Sequence, residues 1–315
     1  MMSEKCSSSA KGMFEAVVSS NRRIGPGFYR LGLEFSQKAA TAFADFQPGQ
    51  FAQLDLSNTA LPPPEKIPED LRDATGRKIL LRRPFSFAEV TTKGDKTSAE
   101  LLYCVVGPAT VRMTTLSAGD AISIIGPLGR GFRIPDGKKK VLLVGGGMGT
   151  PPLQHLAQVL TARNGRIEVI AFAGAKTAEG LPFEGRLDDI SQQLGFCLPE
   201  FAKYGVESLV ATDDGSAGYH GLVTDHLCEW LEQRGAVSDE MMICACGPEA
   251  MLATVARIAR EKNIDCQVSM EQRMACGIGV CQSCAVECQV PGSNETIYKL
   301  CCEHGPVFDA KEVVF

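Results

Sequence analysis

Three cysteines near the end of the chain, Cys276, Cys281 and Cys284, stand in the spacing C-x4-C-x2-C. That is the plant-type [2Fe-2S] spacing, which is completed by one further cysteine downstream. Small residues surround them in Ala275-Cys276-Gly277-Ile278-Gly279-Val280-Cys281-Gln282-Ser283-Cys284. Gly277 and Gly279 let such a loop wrap a cluster and aim backbone N–H groups at anionic sulfurs. The alternatives are a zinc site, which more often uses C-x2-C pairs, and unrelated free thiols. Cys288, Cys301 and Cys302 are candidates for the fourth ligand, and spacing does not separate the adjacent pair.

A second place for chemistry is Gly145-Gly146-Gly147-Met148-Gly149-Thr150. It follows a strand-like run and precedes a helix-like one, the context in which backbone N–H groups and a helix N-terminus cradle a pyrophosphate. Thr150 and Pro151 occupy the last places, so it is not a clean G-x-G-x-x-G, and a tight turn is the competing reading. Cys246-Gly247-Pro248-Glu249 marks a second strand-to-helix junction, with Cys246 either a packed thiol or a cofactor contact. A third place is Arg82-Arg83-Pro84-Phe85-Ser86. There an arginine can pair with a phosphate and the Ser86 hydroxyl with a ring nitrogen, or the arginines are simply a surface pair.

The elements that must hold these residues divide into three stretches. Residues 14–18, 27–35 and 49–56 read as strands, as do 79–81, 99–106 and 120–125, with a period near two. The proline-rich stretch 58–78 reads as a surface insertion. A small closed or nearly closed antiparallel barrel over 12–135 fits. After Asp136 the pattern alternates. Val141-Leu142-Leu143-Val144 reads as a buried strand and Pro151-Pro152 as the opening of a helix with Leu153, Leu156, Ala157 and Leu160 on one face. Strands at 167–171, 209–212 and 242–245 alternate with helices at 223–234, stopped by Gly235, and after Pro248. This predicts an α/β domain over 136–262 built on a parallel sheet. Residues 263–315 form a cysteine-rich module.

Composition narrows the classes. The chain has 315 residues, 32 Lys plus Arg and 37 Asp plus Glu, for a net charge of -5. That balance argues against a general nucleic-acid binder. A hydrophobic share of 44 % supplies sizeable cores. No run has the length of a membrane helix; residues 1 to about 10 read as a disordered start, and the N-terminus lacks the apolar region of a signal peptide. Thirteen cysteines, many in the last fifty residues, fit thiolate ligation in a reducing cytoplasm better than a disulfide framework.

Taken together, these motifs resemble those of the electron transfer subunits of class B dihydroorotate dehydrogenases, in the ferredoxin–NADP reductase superfamily. The resemblance runs from Gly12 almost to the end. It rests on Arg82 to Ser86, on Gly126-Pro127-Leu128-Gly129-Arg130-Gly131-Phe132, on the glycines 145–149 and on Thr212-Asp213-Asp214-Gly215-Ser216. It rests further on Cys246-Gly247-Pro248, on Met274 to Cys281 and on Gly305-Pro306-Val307-Phe308.

The resemblance implies an antiparallel Greek-key barrel that binds FAD, an NAD(H)-binding α/β domain and a [2Fe-2S] module. It implies that Arg83, Pro84 and Ser86 form the flavin motif, with Ser86 near the isoalloxazine ring, and that Thr110 reaches the FAD diphosphate. The family's Gly-x-Gly-Thr is here Gly107-Pro108-Ala109-Thr110, so Ala109 departs from it. Gly145, Gly147 and Gly149 match the NAD(H) diphosphate loop, and Cys246 and Gly247 match positions near the nicotinamide. Counted back from Gly305, the last cluster ligand falls on Cys302, after a gap from Cys284 longer than the family's. No acid–base residue is implied. A catalytic FMN subunit would oxidise dihydroorotate in pyrimidine (UMP) biosynthesis, with electrons passing through [2Fe-2S] and FAD to NAD+ in a heterotetramer of two subunits of each kind. The chain alone would oxidise NADH only with an artificial acceptor. The rival readings are the small subunit of an NADH-dependent ferredoxin:NADP reductase or sulfide dehydrogenase, and a redox-sensing module without turnover.

Overall fold

The computed structural model describes residues 11–162, 167–183, 198–234 and 238–315. The readings made for residues 1 to about 10 and for Gly235 lie outside them. The first part of the chain forms β1 (Gly12–Gly25), β2 (Phe28–Phe35), β3 (Phe51–Leu54), β4 (Arg83–Ser86), β5 (Glu89–Lys93), β6 (Lys96–Cys104) and β7 (Ala121–Leu128). They make one seven-stranded antiparallel sheet in the order β4-β3-β7-β1-β2-β6-β5. The order ends on β4 and β5, and no ladder joins these two among the described residues. Alternate residues turn inward: Ala16 and Val18, Leu31 and Leu33, Leu101 and Tyr103, Ile122 and Ile124 are all buried. The two-residue period of a strand requires that alternation. A helix, Gln37–Ala44, closes over this core and stacks Phe43 on Phe35 with ring centroids 4.3 Å apart.

The strand expected at 79–81 is absent. Pairing begins at Arg83 instead, and Leu80 and Leu81 are exposed. The arginine motif is therefore the strand itself, on the sheet's edge, where Pro84 costs no ladder hydrogen bond. Stretch 58–78 is an ordered insertion of single turns, Pro64–Lys66 and Glu69–Leu71, and a short helix, Arg72–Thr75. Arg112 pins it by donating to the carbonyls of Thr59 (3.0 Å) and Thr75 (3.3 Å).

The second sheet contains β8 (Lys140–Gly146), β9 (Glu168–Ala175), β10 (Glu207–Thr212), β11 (Tyr219–His220), β12 (Met241–Cys246) and β13 (Asp265–Ser269). These strands are parallel. β14 (Ala285–Gln289) and β15 (Thr296–Leu300) form a separate antiparallel hairpin. β16 (Val307–Asp309) then returns antiparallel to β13, giving the order β11-β10-β9-β8-β12-β13-β16. The cysteine-rich tail thus contributes the last two strands of this sheet, and its loop and hairpin lie between them. Residues 141–144 of β8 are fully buried, so both faces are covered. Val141 and Leu143 meet Leu153, Leu156 and Leu160 of the helix Thr150–Thr161. Leu142 and Val144 face the helices Val223–Arg234 and Glu249–Glu261 on the other side.

Candidate functional site

The loop between β13 and β14 carries the cysteine motif. Gly277, Gly279 and Gln282 have φ of 71°, 85° and 59°, the left-handed values that curl a chain tightly and that suit glycine best. The curl aims backbone N–H groups at sulfur. Cys281 N–H lies 3.3 Å from the Sγ of Cys276, and Gly279 N–H lies 3.2 Å from the Sγ of Cys302. Cys302 N–H in turn lies 3.4 Å from the Sγ of Cys284. These contacts tie the thiols of Cys276, Cys284 and Cys302 to the loop that carries Cys281.

Cys302 enters on the short helix Cys301–His304, which points its neighbour the other way: the Cys301 thiol donates to the Met270 carbonyl at 3.4 Å. Cys288 is buried in β14 opposite Ile297. The adjacent pair, open in the sequence, is separated here by geometry. Hydrogen bonds from Ser283 and from Cys276 pull the Cys281 thiol down to about 6, whereas burial pushes Cys302 up to about 12. N–H donors aimed at thiolates suit an anionic iron–sulfur group. Among the described residues, no three His, Cys, Asp or Glu side chains are grouped to hold a single metal ion. The described cysteines form no disulfide.

The loop packs against the first sheet. A Cβ on Gly277 would lie 2.2 Å from Nε2 of Gln53, so the glutamine amide fills the space that a side chain would need there. Gln53 is fully buried in β3, and neither of its amide atoms has a hydrogen-bond partner among the described residues. A buried amide left this way costs about 1–3 kcal/mol per polar atom. Gln53 pairs with Pro84 and Phe51 with Ser86. Residues opposite one another share a face, so Gln53 stands on the face of Pro84 and Ser86. Ala52 and Leu54 point the other way, into the first core.

The two arginines of β4 and its approach differ in use. Arg82 is bound to Asp55 at 3.2 Å and to the carbonyl and hydroxyl of Ser123 at 2.8 and 3.0 Å. Arg83 is half-buried and donates only to the neighbouring carbonyls of Leu81 and Arg82. Of the two, it is the arginine with no carboxylate in contact among the described residues. Thr110 stands elsewhere, in the first turn of the helix Pro108–Met113. Its hydroxyl accepts the N–H of Val106 at 2.9 Å and of Gly107 at 3.1 Å, which builds the turn.

The two glycine junctions meet. β8 and β12 are neighbours with Gly145 opposite Cys246, so both loops leave the sheet side by side at strand carboxyl ends. A Cβ on Gly149 would lie 2.0 Å from the Cys246 carbonyl oxygen, and one on Gly247 3.0 Å from the Gly146 nitrogen. A Cβ on Gly145 would come 2.8 Å from the Thr150 hydroxyl. Gly147 differs: φ is 50° and nothing lies within 4 Å of its Cβ position, so it faces open space. Burial raises the Cys246 thiol to about 12 despite a hydrogen bond with Ser269.

Sequence reasoning missed Gln53 and Ser269, which are defined by contacts across the fold. It also missed the seam between the sheets. There Gln158 accepts the N–H of Val90 at 3.2 Å and donates to its carbonyl at 3.0 Å, as a neighbouring strand would. The motif at 126–132 and the tail at 305–308, quoted separately above, touch: Arg130 N–H donates to the Gly305 carbonyl at 2.6 Å.

Comparison with known proteins gives matches over both later parts. Residues 271–314 match the iron-sulfur cluster binding domain of dihydroorotate dehydrogenase B, and residues 143–257 match an oxidoreductase NAD-binding domain. The dihydroorotate dehydrogenase B (NAD(+)) electron transfer subunit of Bacillus caldolyticus is 38 % identical over 271 residues, 85 % of this chain and 87 % of that one. That of Geobacillus thermodenitrificans is 35 % identical over 306 residues, 96 % and 99 % of the two chains. Among solved structures, an NADH-dependent reduced ferredoxin-NADP oxidoreductase, studied for flavin-based electron bifurcation, superposes with a TM-score of 0.70 at 25 % identity. The match covers 95 % of this chain and 89 % of that one.

Proposed function

This chain belongs to the family of electron transfer subunits of dihydroorotate dehydrogenase B, and we propose how its residues serve that role. It is the subunit that passes electrons toward NAD+ in an NAD-dependent dihydroorotate dehydrogenase, within pyrimidine biosynthesis, and its cofactors are FAD, a [2Fe-2S] cluster and NAD(H). When bound, the flavin exchanges hydride with the nicotinamide and single electrons with the cluster.

In our reading, Cys276, Cys281, Cys284 and Cys302 hold the cluster, and their N–H donors stabilise its negative charge. Arg83 pairs with the FAD diphosphate, and Pro84 and Ser86 line the ring. Thr110 shapes the turn that approaches the same diphosphate. Gly145, Gly147 and Gly149 form the NAD(H) diphosphate loop, with Gly147 on its open side. Cys246 and Gly247 border the nicotinamide. No residue is assigned to acid–base work. The first sheet curls into the FAD-binding barrel, and the chain alone oxidises NADH with an artificial acceptor. The complex contains two of these subunits and two catalytic FMN subunits in the cytoplasm. No helix among the described residues is long and apolar enough to cross a membrane.

One observation supports the reading: the thiol loop rests against the strand pair that bears Arg83 and Ser86, the residues read here as the flavin motif. The test is an anaerobic absorption titration of the natively co-purified complex with dihydroorotate. Bleaching of both the flavin bands and the broad cluster absorption is expected. If NADH bleaches both while dihydroorotate bleaches neither, the partner is another enzyme. The second reading, favoured by the likeness to the ferredoxin-NADP oxidoreductase structure, then replaces the first.

A further inference from the structure

We propose that Gln53 is the positioning residue between the two redox groups, an inference that rests on the reading of the site above. Its place supports this from two sides. Toward the tail, its Nε2 fills the position a Gly277 side chain would take, one residue from Cys276. Toward the first sheet, it shares a face with Pro84 and Ser86 through the register of β3 and β4. It is fully buried, and among the described residues both ends of its amide lack a partner. Phe51, which shares its face of the strand, is buried in an apolar cluster, so an amide at position 53 is not called for by packing. A primary amide has a donor end and an acceptor end, and the two sides of Gln53 supply one site for each.

The donor end, Nε2, faces the cysteine loop and is left to donate to a sulfur of the cluster held there. The acceptor end, Oε1, takes an N–H of the flavin ring. A donor to sulfur stabilises the more negative, reduced state of a cluster, so Gln53 raises the cluster's potential. The same amide fixes the loop against β3 and so the spacing of the two groups. Gly277 is the complement of this arrangement, since any side chain there would displace the amide.

The test uses the co-purified complex with FAD and iron counted. Gln53→Met keeps the length of the side chain and removes both polar ends, whereas Gln53→His keeps a donor and an acceptor. Cluster and flavin are titrated anaerobically, followed by electron paramagnetic resonance and visible absorption. In Gln53→Met the reduced-to-oxidised ratio of the cluster at the wild-type midpoint is expected to fall about tenfold, which is 59 mV for a one-electron couple. The flavin bands shift as well, and Gln53→His recovers most of the loss.

Fully loaded Gln53→Met with an unchanged midpoint, line shape and flavin spectrum overturns the proposal. Where Gln53→Met does not load, wild-type protein made with glutamine carrying 15N in its side chain decides. A 15N coupling to the reduced cluster that is lost in Gln53→His upholds the donor role, and its absence refutes it. A wild-type complex that contains no flavin or no cluster would instead sink the functional reading, so the two failures are distinct.

Discussion

At the scale of residues, the thiols divide into those that meet the loop and those that do not. Cys281→Ser is expected to abolish the cluster absorption and NAD+ reduction by the complex, while NADH oxidation with an artificial two-electron acceptor partly survives. Cys301→Ser should leave the cluster in place, because its sulfur faces the Met270 carbonyl. A full cluster spectrum in the first variant, or none in the second, would contradict the ligand set. His155 is a residue of another kind. It is buried beside Phe46, and burial lowers its pKa from 6.5 to about 4. The unfolded chain therefore takes up this proton first as pH falls. Its neutral form contributes full stability above about pH 6.5, and the contribution is lost between there and pH 4. That span corresponds to on the order of 3 kcal/mol. Urea unfolding of His155→Leu at pH 7 and pH 4.5 should show a flatter acid limb than wild type, and parallel pH dependence would reject this role. The cluster motif was legible because its chemistry lies in local spacing. The reading of Cys302 rather than Cys301 rests on the family resemblance, and Gln53 carried no signal, since an amide in a strand acquires meaning only from the loop laid over it.

At the scale of elements, the glycines of the two junctions separate packing from ligand approach. Gly149 lies against the Cys246–Gly247 backbone, so Gly149→Ala forces two parallel strand ends apart. The expected cost is about 1–3 kcal/mol together with weakened NADH binding. Gly147→Ala meets no atom and bears only the strain of its left-handed φ, about 1–2 kcal/mol. Its effect on NADH binding should therefore exceed what its stability loss explains. Equal losses of binding per unit of stability in the two variants would mean that the loop is a packing turn alone. The parallel sheet and its helices were readable because fully apolar strands and one-sided helices follow from burial on two faces or one. β4 was displaced from its expected place because Ile79-Leu80-Leu81 has the composition of a strand but no partner. Pro84, which would disqualify a central strand, is harmless at the edge where β4 lies.

At the scale of the molecule, the two sheets are joined by polar contacts that the sequence does not announce, because each pair is distant along the chain. Arg30 on β2 reaches Glu100 at 2.7 Å within its own sheet and Glu200 of the second domain at 3.2 Å. Arg30 and Glu200 are 4 % and 5 % exposed, so the charges are withdrawn from water together. Nearby, Glu89 at the edge of the first sheet receives hydrogen bonds from Lys203 and Tyr204 of the second. Burial alone would raise the Glu89 pKa, but those bonds outweigh it and hold it below the usual carboxylate value. Removing Arg30 takes the buried cation from both Glu100 and Glu200, whereas removing Glu200 leaves Arg30 on Glu100. Arg30→Met should therefore destabilise the protein more than Glu200→Leu, and the double variant should be less destabilised than their sum. Because this seam fixes how β4 and the glycine junctions face each other, either single variant should also slow flavin reduction by NADH while leaving the cluster spectrum intact. Additive stability losses with an unchanged rate would show that the seam only fills space. The predicted non-additivity with a slowed hydride step would mean that the distance between the domains is set by these buried charges.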